Sequence, residues 1–193
     1  MRRSIQSLAV VLGCALIAAT PADDTAHLIR FNTTCAHCHE GQCSGRLSFA
    51  LAPAATFAHI RRYAGQVDEA DARRLYDALA YMKRACAYPP LAVLGRHSDD
   101  PAALAVYRDA VSGDYFVPVG PLAPGPYRLR LDLAAADRLE IEVLNHYFEL
   151  VAQWRSTVAA PRVDIRFAVE EQAQHFVRLR PAAAGLVLAL HVD

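Results

Sequence analysis

Apolar positions recur at two different periods in the two halves of this 193-residue chain. Between Asp68 and Cys86, the residues Leu75, Leu79, Met82 and Cys86 follow at spacings of four, three and four, the repeat of one helix face. Asp68, Glu69 and Asp71 crowd the start of that stretch and Lys83 and Arg84 its end, as the helix dipole prefers, and Pro89-Pro90 stop it. The segments His27–Phe31 and Phe57–Tyr63 predict two shorter helical pieces upstream. Asp100-Pro101 has the form of an N-cap followed by a first-turn proline, predicting a further helix through Leu104, Tyr107 and Val111 to Gly113.

Beyond that point the period falls to two. Apolar and charged residues alternate strictly in Tyr127–Leu133 and Leu139–Val143, and with modest breaks in Phe148–Trp154, Val163–Val169, His175–Arg180 and Leu186–Val192. With Tyr115–Val119 this makes about seven short strands in about 80 residues, a cadence that predicts an antiparallel β-sandwich. The immunoglobulin-like form is an analogy only, since no cysteine pair bridges these strands and a small barrel fits the same count. The proline-rich run Pro118–Pro126 predicts a stiff loop between two strands. Alternation also sends part of Tyr147, Phe148 and Trp154 into the core.

The fold class is therefore a two-domain α plus all-β chain. Its expected divisions are a signal segment at 1–22, a helical domain at 23–88, a linker with a short helix at 89–114, and the β domain at 115–193. The signal follows from Arg2 and Arg3, the apolar run Leu8–Ala19 and the small-residue stretch Thr20-Pro21-Ala22. This predicts a periplasmic location. Cys14 sits inside the apolar run in a loose lipoprotein-like context, and a lipid anchor there is the alternative. Basic and acidic residues balance at 20 each, so no basic patch points to a nucleic-acid partner. Outside the signal, no apolar run approaches the roughly 20 residues needed to span a bilayer.

The most specific chemistry lies in Cys35-Ala36-His37-Cys38-His39. This C-x-x-C-H spacing is that of covalent c-type haem attachment, with thioethers at Cys35 and Cys38 and His39 as proximal iron ligand. The cofactor expected is one covalent haem c. A zinc site is the rival reading of paired cysteines and histidines, but Cys43, Cys86, His37 and His39 supply a second pair at no familiar spacing. A thioredoxin-type pair lacks its strand-to-helix context. Export suits haem attachment, because bacterial maturation of c-type cytochromes takes place outside the cytoplasmic membrane.

Residues 24–88 resemble the monohaem class I cytochrome c domain. The resemblance rests on the motif and on Leu75–Met82, which is similar to that family's final helix. It implies a helix before the motif packed against the final helix, with haem completing a core too small to stand alone. The family usually supplies a methionine as sixth ligand from a loop before the final helix. Here Met82, the only methionine besides the initiator, lies within that helix, and His59 lies upstream of it. His59 and Met82 are the two candidates, with His97, His146, His175 and His191 less well placed.

In an exported protein, Cys43 and Cys86 are expected to form a disulfide, which could add about 3–4 kcal/mol by the chain-entropy estimate. Thiolate ligation of iron by either is the alternative. Two functions follow from different classes. One is single-electron transfer to a redox partner protein, with the β domain docking the partner and no catalytic residues. The other is a ligand-binding sensor or accessory peroxidase-like protein with an open sixth position and His59 or Arg62 nearby. A structural haem beside a binding sandwich is a third. The acidic pairs Asp99-Asp100 and Glu170-Glu171 have the character of solvated turns.

Overall fold

A computed structural model describes residues 21–40, 51–135, 137–182 and 186–193. The predicted signal segment and Cys14 thus lie almost wholly outside the described residues, as does Cys43. The helical half comprises α1 (Pro21–Arg30), a π-helical turn (Phe31–Cys35), α2 (Ala36–His39), α3 (Pro53–Ala64) and α4 (Glu69–Ala85). Asp68 caps α4 by accepting a hydrogen bond from the Asp71 amide at 2.7 Å, and Cys86 ends it in the left-handed region at φ 52°. Ala72, Leu75, Ala78 and Met82 form its buried stripe. α1 packs against α4, with Ile29 and Phe31 wholly buried at the junction between α1 and the π turn. No described helix is long and apolar enough to cross a membrane.

After this come β1 (His97–Ser98), α5 (Pro101–Ala105), β2 (Tyr115–Leu122), β3 (Gly125–Leu133), β4 (Asp137–Asn145), β5 (Leu150–Ala159), β6 (Arg162–Val169), β7 (Ala173–Pro181) and β8 (Val187–Val192). They form two antiparallel four-stranded sheets, ordered β1-β8-β3-β6 and β2-β7-β4-β5. Inward residues of both sheets join one core, an arrangement compatible with a sandwich. The seven predicted strands are all present, and β1 adds an eighth by pairing His97 and Ser98 with His191 and Leu190. The helix predicted from Asp100 begins as expected, with Asp100 accepting from the Ala102 amide at 2.9 Å. It ends at Ala105, because Tyr107 turns back to accept a hydrogen bond from the Phe116 amide at 2.9 Å.

The proline-rich run is not a loop. Pro118–Leu122 continue β2, and β3 begins at Gly125. The sheet tolerates these prolines because β2 is an edge strand, where a missing amide costs no ladder bond on the open side. A register shift between Pro118 and Gly120 absorbs the misfit. Gly120 itself has φ +98°, and a Cβ there would meet Val93 Cγ1 at 3.2 Å.

In the sheet β2-β7-β4-β5, strands β2 and β7 and the segment Ile141–Asn145 of β4 are buried on both faces. One cross-strand row, Val117, Val177 and Val143, belongs to the core between the sheets. The next, Phe116, Arg178 and Glu142, faces the helical half, where Tyr88 packs on Phe116 and Phe176 at ring separations of 5.0 Å each. Helices thus cover one face of this sheet.

His175 on β7 is 1% exposed, and its Nδ1 donates to the Ala173 carbonyl at 2.8 Å. Burial pushes this imidazole below its ordinary pKa, so the unfolded chain takes up the proton first as pH falls. Its stabilising contribution is therefore present at neutral pH and above, and is lost as pH drops below about 6.5. The urea midpoint is expected to fall between pH 7 and 5 more steeply in the native chain than in His175→Asn, which keeps a donor for Ala173. Equal slopes would show that another group controls the acid response.

Candidate haem site

The π turn sets the geometry of the motif. Its wider register releases carbonyls at the end of α1, and the Thr33 hydroxyl donates to the Ile29 carbonyl at 2.9 Å. The chain then continues into α2, so Cys35, Cys38 and His39, three and four positions apart, share one helical face. That face forms one wall of a cleft of about 540 Å³, within the ~300–1,000 Å³ range of cofactor and ligand sites.

α3 supplies the opposite wall. Phe57, Ile60 and Ala64 are buried, while Ala55, Thr56, His59 and Tyr63 border the cleft. Leu75 and Leu79 of α4 line its floor with Phe31. The His39 and His59 rings stand 6.3 Å apart between centroids, at 73° to each other, and Tyr63 leans on His59 at 4.8 Å. Two imidazoles sharing one metal ion need about 2 Å for each metal–nitrogen bond and about 1 Å from each nitrogen to its ring centre, roughly 6 Å in all. The observed separation meets that requirement, so these residues fit a metal-centred cofactor between them.

The remaining predicted residues are placed differently. Met82 is 1% exposed in the core and does not border the cleft. Arg62 is exposed on α3, its guanidinium 5.7 Å from the Tyr63 ring centre. His97 and His191 pair across β1 and β8, bonded to Asp193 and Asp99 at 2.7 and 2.8 Å. His146 and His175 also stand outside the cleft. Among the described residues no group of three or more His, Cys, Asp or Glu side chains is arranged to hold a bare metal ion. Cys35 and Cys38 form no disulfide, and Cys86 is disulfide-bonded. Burial, reinforced by Cys38, pushes the Cys35 thiol up to about 11. Burial thus disfavours the Cys35 thiolate, the form that redox or nucleophilic use of that thiol would need.

Three residues at the back of the site carry no motif. Glu40, directly after His39, accepts a hydrogen bond from the Tyr88 hydroxyl at 2.6 Å and is ion-paired with Arg178 of β7. Arg178 is 1% exposed and also donates to Glu142 at 3.0 Å. Arg180, two residues along β7, donates to His37 Nδ1 at 3.0 Å. The available signal was a charge standing alone in the apolar stretch Phe176-Val177-Arg178-Leu179, opposite another in β4.

No family model matches the chain, and no curated protein is significantly similar to it in sequence.

Proposed function

We propose that this chain is an exported electron-transfer protein carrying one covalent haem c in the cleft between α2, α3 and α4. In this reading the helical half is a class I cytochrome c domain and the paired sheets an immunoglobulin-like sandwich, the whole working in the periplasm with a redox partner protein. Cys35 and Cys38 hold the group through thioethers, and His39 and His59 hold the iron. The observation carrying the proposal is that the His39 and His59 ring centres stand 6.3 Å apart, close to the separation a shared metal requires, beside a cleft bordered by both motif thiols. The packing of α1 on α4 supports the same reading.

Haem c supplies a one-electron iron couple when bound, and two imidazoles give it a lower reduction potential than imidazole with methionine. The chain's own residues do the rest. Phe31, Ile60, Leu75 and Leu79 give the cleft an apolar floor, which limits the solvent that reorganises on that side when the site's charge changes. Tyr63, tilted against His59 at 4.8 Å between ring centres, restricts that ring's rotation.

Absorption spectra of the exported protein, oxidised and reduced, with and without carbon monoxide, test the proposal. A c-type reduced spectrum unchanged by carbon monoxide is expected. His59→Ala should make the reduced spectrum respond to carbon monoxide, and Met82→Ala should not. A response in the unmodified protein would favour the ligand-binding reading, and a response confined to Met82→Ala would move the sixth ligand to Met82.

A further inference from the structure

His37 and Glu40 bracket the proximal ligand His39, and a single strand holds both. Arg180 of β7 donates to His37, and Arg178 of the same strand face pairs with Glu40. Arg178 lies wholly inside the protein, over the Phe116 ring at 5.5 Å. Its charge already has a partner within the sheet, the cross-strand neighbour Glu142 at 3.0 Å. A second buried carboxylate is therefore more than the sheet requires, since each buried charge carries a desolvation penalty that only close pairing offsets. Tyr88 adds a further hydrogen bond to the same carboxylate and wedges its ring among Phe116, Phe148 and Phe176. Glu40 is thus fixed from two directions at a point where the chain leaves α2 and its backbone amide still bonds to the Ala36 carbonyl at 2.6 Å.

We infer that Arg178 is a positioning residue for the haem-binding segment, clamping Glu40 and with it the exit of the chain from His39. The sheet pair is then the scaffold of the cofactor site as well as any docking module. The inference rests on the haem reading above. It also places a buried ion pair directly after His39 in the chain, its two charges acting in opposite directions on the reduction potential of a group held there.

Reduction potentials of the exported haem protein and its Glu40→Gln and Arg178→Gln variants test the clamp. Glu40→Gln removes a negative charge while keeping shape and an acceptor for Tyr88, so the potential should rise. Arg178→Gln should lower it. Each shift is expected to reach about tenfold in the oxidised-to-reduced equilibrium, which is about 59 mV for a one-electron couple. An unchanged potential in Glu40→Gln would overturn the proposal. Should Arg178→Gln fail to accumulate, Glu40→Gln decides alone. Absence of haem from the unmodified protein would overturn the haem reading instead. The unfolding midpoints of unmodified, single and double variants then still test the clamp, additive midpoints refuting it and a marked non-additivity supporting it.

Discussion

Exported Cys35→Ala/Cys38→Ala protein is expected to have the mass of its polypeptide alone, while the unmodified protein carries one haem in addition. Both thiols border the cleft, and no other cysteine does so among the described residues. The double variant removes both attachment points, leaving His39 and His59 as the remaining hold on the group. Stability should fall as well. Phe31, Ile60, Leu75 and Leu79 border a space of about 540 Å³, and a helical unit of this size has little other core. Thermal unfolding of the two proteins, followed by far-ultraviolet circular dichroism, would show a lower midpoint for the variant. Covalent haem persisting in the variant would place the attachment outside the motif.

Phe116→Ala is expected to destabilise the protein by about 3–5 kcal/mol, in the range for a large aromatic removed from a core. Phe116 is 0% exposed, stacks on Phe176 at 4.9 Å, and meets Tyr88 from the helical half. Its ring also lies beneath Arg178. The truncation therefore opens a cavity at the junction of the helices and the sheet, and removes the ring that lies against a buried cation. Urea unfolding monitored separately in helical and β signals would show both moving together to a lower midpoint. A shift confined to the β signal would mean that the halves unfold independently.

The sequence pattern was most legible where one face meets water. β3 alternates in burial along most of its length and β6 does so more clearly, and the matching alternation in Tyr127–Leu133 and Val163–Val169 located both strands. β2 and β7 are nearly continuous in burial because helices cover their other face, so period two weakens there and Arg178 gave no sign of its partner. Pro118 and Pro121 concealed the end of β2, because edge position is a property of the sheet and not of the residues. In the site, the local motif gave Cys35, Cys38 and His39 together. His59 could be nominated from its place in the chain, but only the packing of α3 brings it opposite His39. Glu40 and Arg180 were invisible for the same reason: each acts through a residue far along the chain.

The Glu40–Arg178 pair closes a loop of 138 positions. Loop closure of that length carries an entropic cost that local helix formation does not, and contacts of high sequence separation slow folding. The cysteine motif can form its turn as soon as it emerges, whereas the arginine that secures it arrives near the end of the β segment. During folding the Cys35–His39 segment therefore passes through an interval in which its turn is formed but its exit from α2 is unrestrained.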